Sequence, residues 1–389
     1  MEVEKLYYED CHIVGFLAMV TGCAESKGGW QVTLDSTAFY PEGGGQPCDL
    51  GTLGDAKVLD VREREGQILH LCDKPLAVGQ KVKGRIDWER RFDFMQQHTG
   101  EHIVSGLIFS AYGFRNVGFH MGADTVTIDF DGVIPAEALA EIEAQANRVV
   151  WENWEIECWY PKPEALEELP HRSKKALQWP VRIVEIPDVD RCACCGVHVA
   201  ATGEVGLIKL LSCVRFRQGV RIEMVCGGRA LKLLSQVYEQ NRQVSQAFSA
   251  KMLETGAAAR RMNEQLAAEK YRCAGLEKQI FNAIAAGYAG KGNVVHFEQG
   301  LTGTALRELA DRIAQRCDGV AAALSGEDGT GYNLCLVSKC GDVSQTGQQI
   351  FKALDGRGGG KAGFFQGTVR ATREQIQTYF RESGWYFQI

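Results

Sequence analysis

Alternation and periodicity divide the 389 residues into four stretches. From 1 to 89, apolar and polar positions alternate in short runs (HIVGFLAMV, WQVTLDSTAFY, AKVLDVRE, QILHLC and KVKGRID) broken by glycine-rich turns. Strands at that spacing predict a small β-barrel. From 90 to 228 the period changes repeatedly. FMQQHTGEHIVSGLIFSAYG has the apolar spacing of a helix, TVTIDF that of a strand, and a second helix is predicted from Pro135 to Trp151, where proline is well placed at the start. IECWY, VRIVEI and GLIKLLS then read as strands. This stretch is an α+β domain, with Trp151, Trp154 and Trp159 expected in its core.

From 229 to 290 the composition shifts to long helix formers without proline, and Leu234, Val237, Val244 and Phe248 recur at the intervals of a coiled-coil seam. Thr255-Gly256 interrupts the pattern, which predicts a helical hairpin or coiled-coil arm of two antiparallel helices. From 291 to 389, strands (VVHFE, VAAALSG, YNLCLVS) alternate with helices (ALRELADRIAQRC, QQIFKAL, REQIQTYF), an α/β domain. The whole chain is therefore expected to be of the α+β class.

Composition narrows the setting. Hydrophobic residues make up 45% and charged residues 24%, as in globular proteins. No apolar run reaches membrane-span length, and the acidic MEVEKLYYEDCH lacks a signal-peptide pattern. The fourteen cysteines are scattered through strand and helix patterns, as free thiols of a reducing compartment would be. A cytoplasmic protein without a membrane partner is expected. A net charge of −6 argues against a broad, sequence-blind grip on nucleic acid. It leaves local basic patches, of which Arg172 with Lys174 and Lys175, Arg260 with Arg261, and Arg357 to Lys361 are candidates.

The chemistry sits in two pairs. HTGEH gives His98 and His102, and CCGVH gives Cys194 and His198, each at i, i+4. On a helix the first pair shares one face. Three imidazoles and a thiolate suit Zn²⁺. A cysteine-only site on Cys192, Cys194 and Cys195 competes, but no second cysteine pair follows at finger-like spacing. Four ligands fill a tetrahedral site, whereas catalytic zinc keeps a position open. Such a set leaves three arrangements: one ligand loose, the metal five-coordinate, or a metal that only orients substrate. Glu101 completes H-x-x-E-H, the string of the inverzincin metallopeptidases, in which the glutamate is a general base. It reads equally as an exposed helix carboxylate.

The segment Thr37-Ala38-Phe39-Tyr40-Pro41-Glu42-Gly43-Gly44-Gly45-Gln46 is the other unusual stretch, since three glycines let backbone approach a ligand closely. F-Y-P-E-G-G-G-Q-P-x-D-x-G, H-T-x-x-H, G-F-H-M-G with T-I-D-F, and C-x-G-x-H-V with T-G-E-V-G follow in order. Over residues 12 to 228 the chain resembles the free-standing alanyl-tRNA editing proteins of the AlaX type. That resemblance implies zinc-dependent hydrolysis of a wrong amino acid, serine or glycine, from tRNA for alanine. It implies His98, His102, Cys194 and His198 as zinc ligands and Gln46 as a catalytic candidate, beside Glu101 from the H-x-x-E-H string. It places Thr37, Gly43, Gly44, Gly45, His120 and Asp129 at the substrate. Two departures stand out: Glu101 replaces the threonine of HTATH-type segments, and Cys195 replaces a glycine of CGGTH.

GRGGGK (Gly356 to Lys361) fails as a P-loop because Asp355 and Ala362 occupy its required positions. The last domain instead resembles the glycine-rich DHHA1-like module at the end of alanyl-tRNA synthetases, without an Asp-His-His triplet. In that context Arg357, Gly358, Gly359, Gly360 and Lys361, read as a loop, would contact tRNA. The arm or this module is the expected contact of any homodimer. Two other readings remain: a zinc metallopeptidase with Glu101 as base, and a non-catalytic tRNA-binding protein stabilised by zinc.

Overall fold

The computed structural model describes residues 3–135, 137–173, 180–301 and 303–387; Lys174 and Lys175 lie outside them. Its class is mixed α+β, with several sheets and eight helices. The chain divides into two compact units, Met1–Gln243 and Val244–Ile389. Among the described residues no helix is long and apolar enough to cross a membrane.

In the first unit six antiparallel strands close into a barrel. Their order is Gly15–Ser26, Gly29–Leu34, Gln67–Cys72, Ala56–Arg64, Gly51–Leu53 and Lys81–Ile86, which pairs back onto the first. Alternation decides what faces in: Phe16, Ala18, Val20, Val82 and Ile86 join Val32, Leu53 and Ile68 in the barrel core. The strand Gly51–Leu53 is too short for its sequence to register a period.

The last barrel strand runs almost directly into the helix Trp88–Tyr112. Asp87 caps it by accepting from the Arg90 N–H, and Gly113 ends it in the left-handed region at φ 70°. Arg91 ties the helix to the barrel: its guanidinium holds Asp49 through Nε at 2.9 Å and through Nη2, with both side chains wholly buried. An antiparallel sheet in the order Ile208–Phe216, Gly219–Cys226, Val126–Phe130, Asn116–Met121 shares its apolar core with this helix. In the edge strand, Asp129 pairs with Gly118 while Phe130 pairs with Asn116, so Val117 is bulged out and 63% exposed. A smaller sheet, Glu157–Trp159, Ile183–Ile186 and Asp190–Ala193, leads into the Cys194 loop.

Two expectations change in this unit. The second helix runs Ala138–Glu152 and buries Ile142, Ala146, Val149 and Val150. Trp151 lies off that stripe and is 71% exposed, and Trp154 and Trp159 are only half-buried, so none of the three belongs to the buried core. As expected, no disulfide forms among the described cysteines.

The arm region contains helices Gly227–Ala247 and Thr255–Ala286. The first closes with Ser249 at φ 48°, the Ala250 N–H reaching the Ser245 carbonyl and the Ser249 N–H that of Gln246. Thr255 opens the second helix rather than lying in the break. The second unit also holds a six-stranded mixed sheet in the order Gly356–Lys361, Phe364–Val369, Gly331–Ser338, Val320–Glu327, Val294–Phe297, Tyr386–Phe387. Gly356–Lys361 is thus an exposed edge strand, not the expected loop. A Cβ at Gly358 would lie 2.2 Å from the Gln366 carbonyl oxygen, and one at Gly360 2.0 Å from that of Phe364, a closeness only glycine permits.

Candidate metal centre

The two i, i+4 pairs do meet. His98, His102, Cys194 and His198 bring one ligand atom each to within 4.8 Å of one another, and together they could hold a metal ion. The three imidazoles are buried, and Cys194 is partly so. Cys194 Sγ lies 3.5 Å from His98 Nε2, near the ~3.3–3.6 Å edge of a tetrahedron built on ~2.0–2.3 Å zinc bonds.

Hydrogen bonds fix which ring nitrogen faces the centre. Gln46 Oε1 accepts from the Val197 N–H at 3.2 Å, which identifies it as the amide oxygen. His98 Nδ1, 2.9 Å from the same oxygen, must then carry a proton, leaving the Nε2 lone pair free to ligate. His102 Nδ1 faces the carboxylate Asp190 Oδ2 at 2.9 Å, with the same consequence for its Nε2. Arg172 holds Asp190 in turn through two bonds of 2.6 and 2.7 Å. His198 Nδ1 sits 3.2 Å from the Thr99 hydroxyl. The Nε2 atoms of His102 and His198 are buried with no hydrogen-bond partner. Such orphans are costly unless something binds them, and the donor set of nitrogens and a thiolate is one that a zinc ion satisfies.

Electrostatics agree with the donor set. Burial works against ionising Cys194, but the imidazoles of His98, His102 and His198 gathered around its sulfur outweigh it and hold the thiol well below its ordinary range. Burial, then His98 and His102, push His198 down to about 3, so its ring is neutral. Burial also opposes the Asp190 charge, yet His102 and Arg172 keep its carboxyl low.

The glycine segment supplies a tight turn. Gly43 and Gln46 exchange backbone bonds of 3.1 and 2.9 Å, with Gly44 at φ 59° and Gly45 at φ 86° between them. A Cβ on Gly45 would lie 2.6 Å from Phe119 Cδ1. On the opposing loop, a Cβ on Gly196 would come within 2.1 Å of His98 Cε1. Gln46 Nε2 is buried and without a partner. Cys195 is exposed, and its carbonyl accepts from the Tyr8 hydroxyl at 2.6 Å. Arg182, nearly buried, donates to the carbonyls of Cys194 and Gly196 at 3.2 and 2.8 Å and so fixes this loop.

Glu101 is wholly buried, which rules out the exposed-carboxylate reading. Ser105 Oγ and Asn116 Nδ2 donate to its Oε1 at 2.6 and 2.5 Å, and Oε2 lies 3.9 Å from His102 Nε2. The Val117 bulge makes this possible. Without it Asn116 and Phe119, three apart, would face opposite sides of the strand; with it, Asn116 reaches Glu101 while Phe119 stacks on His98 at 5.3 Å.

Three expected substrate residues are placed elsewhere. His120 and Asp129 belong to the sheet face opposite Phe119 and Ile128; His120 is exposed, and Asp129 pairs bidentately with Arg221 at 2.6 and 2.8 Å. Neighbours on a strand point to opposite sides, so Phe119 rather than His120 meets the centre. Thr37 is buried in the barrel, its hydroxyl 2.9 Å from His70 Nε2 and accepting from the Phe39 N–H. Sequence reading does not find Asp190, Arg182, Asn116 or Phe119, and it takes Arg172 for part of a basic patch, whereas the side chain is nearly buried against Asp190. Arg357 to Lys361 belong to the second unit's edge strand.

Known proteins share these segments. Residues 2–90 match the family of class II (A) tRNA synthetases, 181–223 the second additional domain of threonyl and alanyl tRNA synthetases, and 290–382 the DHHA1 domain. The Xenopus laevis alanyl-tRNA editing protein Aarsd1-B is 28% identical over 95% of this chain and 94% of its own length. Alanyl-tRNA editing protein AlaX-L of Pyrococcus horikoshii is 33% identical over 60% of this chain and 61% of its own. The alanine–tRNA ligase of Pyrococcus abyssi is 37% identical over 64% of this chain, but only 28% of the ligase is covered.

Proposed function

We propose that the chain, similar over nearly its whole length to the alanyl-tRNA editing protein Aarsd1-B, is an alanyl-tRNA editing protein and a trans-editing hydrolase. It removes a wrong amino acid, serine first and glycine second, from tRNA for alanine by zinc-dependent ester hydrolysis. The observation that carries the metal is the pair of buried, partnerless Nε2 atoms on His102 and His198 beside Cys194 and His98.

His98, His102, Cys194 and His198 would hold zinc, which polarises an ester carbonyl and activates water. The other residues act as follows. Gln46 Oε1 keeps the His98 tautomer, while its Nε2, lacking a protein acceptor, donates to the aminoacyl group. A site that hydrogen-bonds the seryl hydroxyl rejects alanyl, which would leave those groups unpaired. Glu101, aimed by Ser105 and Asn116, takes the proton of the attacking water. The turn Gly43–Gly45 lets the substrate backbone approach. Residues 1–89 serve as the barrel domain, 90–228 as the editing domain, 229–290 as the arm, and 291–389 as a tRNA-contacting domain through Arg357, Gly358, Gly359, Gly360 and Lys361.

The test is deacylation of seryl- and alanyl-tRNA for alanine, with and without chelator. Serine release that chelator abolishes, with alanyl-tRNA spared, is the expected result. Equal rates on both would sink the discrimination, and full activity in chelator would sink the metal.

A further inference from the structure

The last barrel strand carries a feature that the metal centre does not use. KVKGRI alternates strictly: Val82 and Ile86 enter the barrel, and Lys81, Lys83 and Arg85 all stand outside, exposed. Along a strand such side chains recur every ~6.8 Å, close to the spacing of successive phosphates along a nucleic acid strand. Lys57, also exposed, extends the row sideways, since Thr52 lies between it and Arg85 in register. The cross-strand neighbours of the last strand's three cations carry no carboxylate: Gly15 and Thr52 flank Arg85, Leu17 faces Lys83, and Met19 faces Lys81. Leu17 is 74% exposed. In a chain of net charge −6, Lys81, Lys83 and Arg85 share one uncovered face without an acidic residue in register opposite them, while Asp73 stands across from Lys57, its Oδ1 accepting from the Lys57 N–H at 2.7 Å.

We propose that this stripe, Lys81, Lys83, Arg85 and Lys57, binds the phosphodiester backbone of the tRNA whose 3′ end enters the metal centre. The inference rests on the proposed tRNA substrate. Position supports it, because the same strand continues through Asp87 into the helix of His98 and His102. From Trp88 to His98 that helix rises about 15 Å, a few nucleotides from an ester held at the centre. A membrane surface is the competing anion, given Leu17, but the direct continuation of this strand into the helix that carries His98 and His102 favours RNA.

The test is binding of uncharged tRNA across a series of salt concentrations. The full chain is compared with the triple variant Lys81→Glu, Lys83→Glu, Arg85→Glu, with the milder triple to Gln, and with Lys27→Glu on another barrel turn. The glutamate triple should weaken binding at least about tenfold and lower the slope of log affinity against log salt by roughly two to three. The glutamine triple should lie between it and the unmodified chain, and Lys27→Glu should match the unmodified chain. Unchanged affinity and slope in both triples would overturn the proposal. So would a loss seen only on vesicles containing anionic phospholipid and not on tRNA. A chain that binds tRNA through the stripe yet releases no serine would refute the proposed activity and leave the stripe standing.

Discussion

Two buried histidine environments in one unit behave as opposites. Inside the barrel, His70 bonds at both ring nitrogens, to the Val32 carbonyl at 3.0 Å and the Thr37 hydroxyl at 2.9 Å. At the centre, His102 and His198 are buried to the same degree but bond only through Nδ1. Burial alone therefore does not mark a site. A buried ring left half satisfied does, because an unmet polar group costs free energy unless a ligand meets it.

That contrast can be broken in four ways. The largest effect belongs to His102→Ala, which should reduce zinc from about one equivalent per chain to almost none by elemental analysis, with a lower melting temperature. Full zinc retention would place the metal elsewhere. Next is the acid response of His70, whose burial pushes its pKa down to about 4 against a bond to the Val32 carbonyl that raises it. The unfolded chain takes up this proton near pH 6.5, whereas the folded barrel refuses it until about pH 4. Stability from this group is complete above pH 6.5 and is lost as pH falls to 4, by about 3 kcal/mol. In denaturant titrations, the advantage of the unmodified chain over His70→Gln should shrink by that amount; a constant gap would refute it.

Asp190→Asn should come third. It removes the carboxylate that orients His102, and competition with a chelating dye should show zinc affinity down about 10- to 100-fold. No change would mean that Arg172 and Asp190 serve only the fold. The smallest effect is that of Thr37→Val, about 1 kcal/mol of stability with zinc content unchanged. Loss of zinc in that variant would join the two environments that the structure separates.

How much of this was legible in the sequence follows the same physics. The pairs His98/His102 and Cys194/His198 could be read because both partners lie within one turn. Asp190 could not, since nothing in DVDRCACC distinguishes a strand carboxylate that meets His102 from one that faces solvent. Phe119 could not be found because a one-residue bulge at Val117 leaves no mark in the apolar pattern, yet it decides which neighbours turn inward. The barrel's alternation was clear except in Gly51–Leu53. Gly356–Lys361 read as a loop because glycine carries no strand preference, and only pairing with Phe364–Val369 makes it one.

The centre draws on parts of the chain that are far apart: Gln46 meets His98 across 52 residues, Cys194 meets His98 across 96, and His198 meets Thr99 across 99. Loops of that length close late, after the barrel and the helix have each formed from local contacts. During synthesis the amino-terminal barrel and the first two histidines emerge well before Cys194 and His198. On the proposed function, metal uptake would come last in the maturation of this unit, and zinc loading during refolding should follow the slowest kinetic phase.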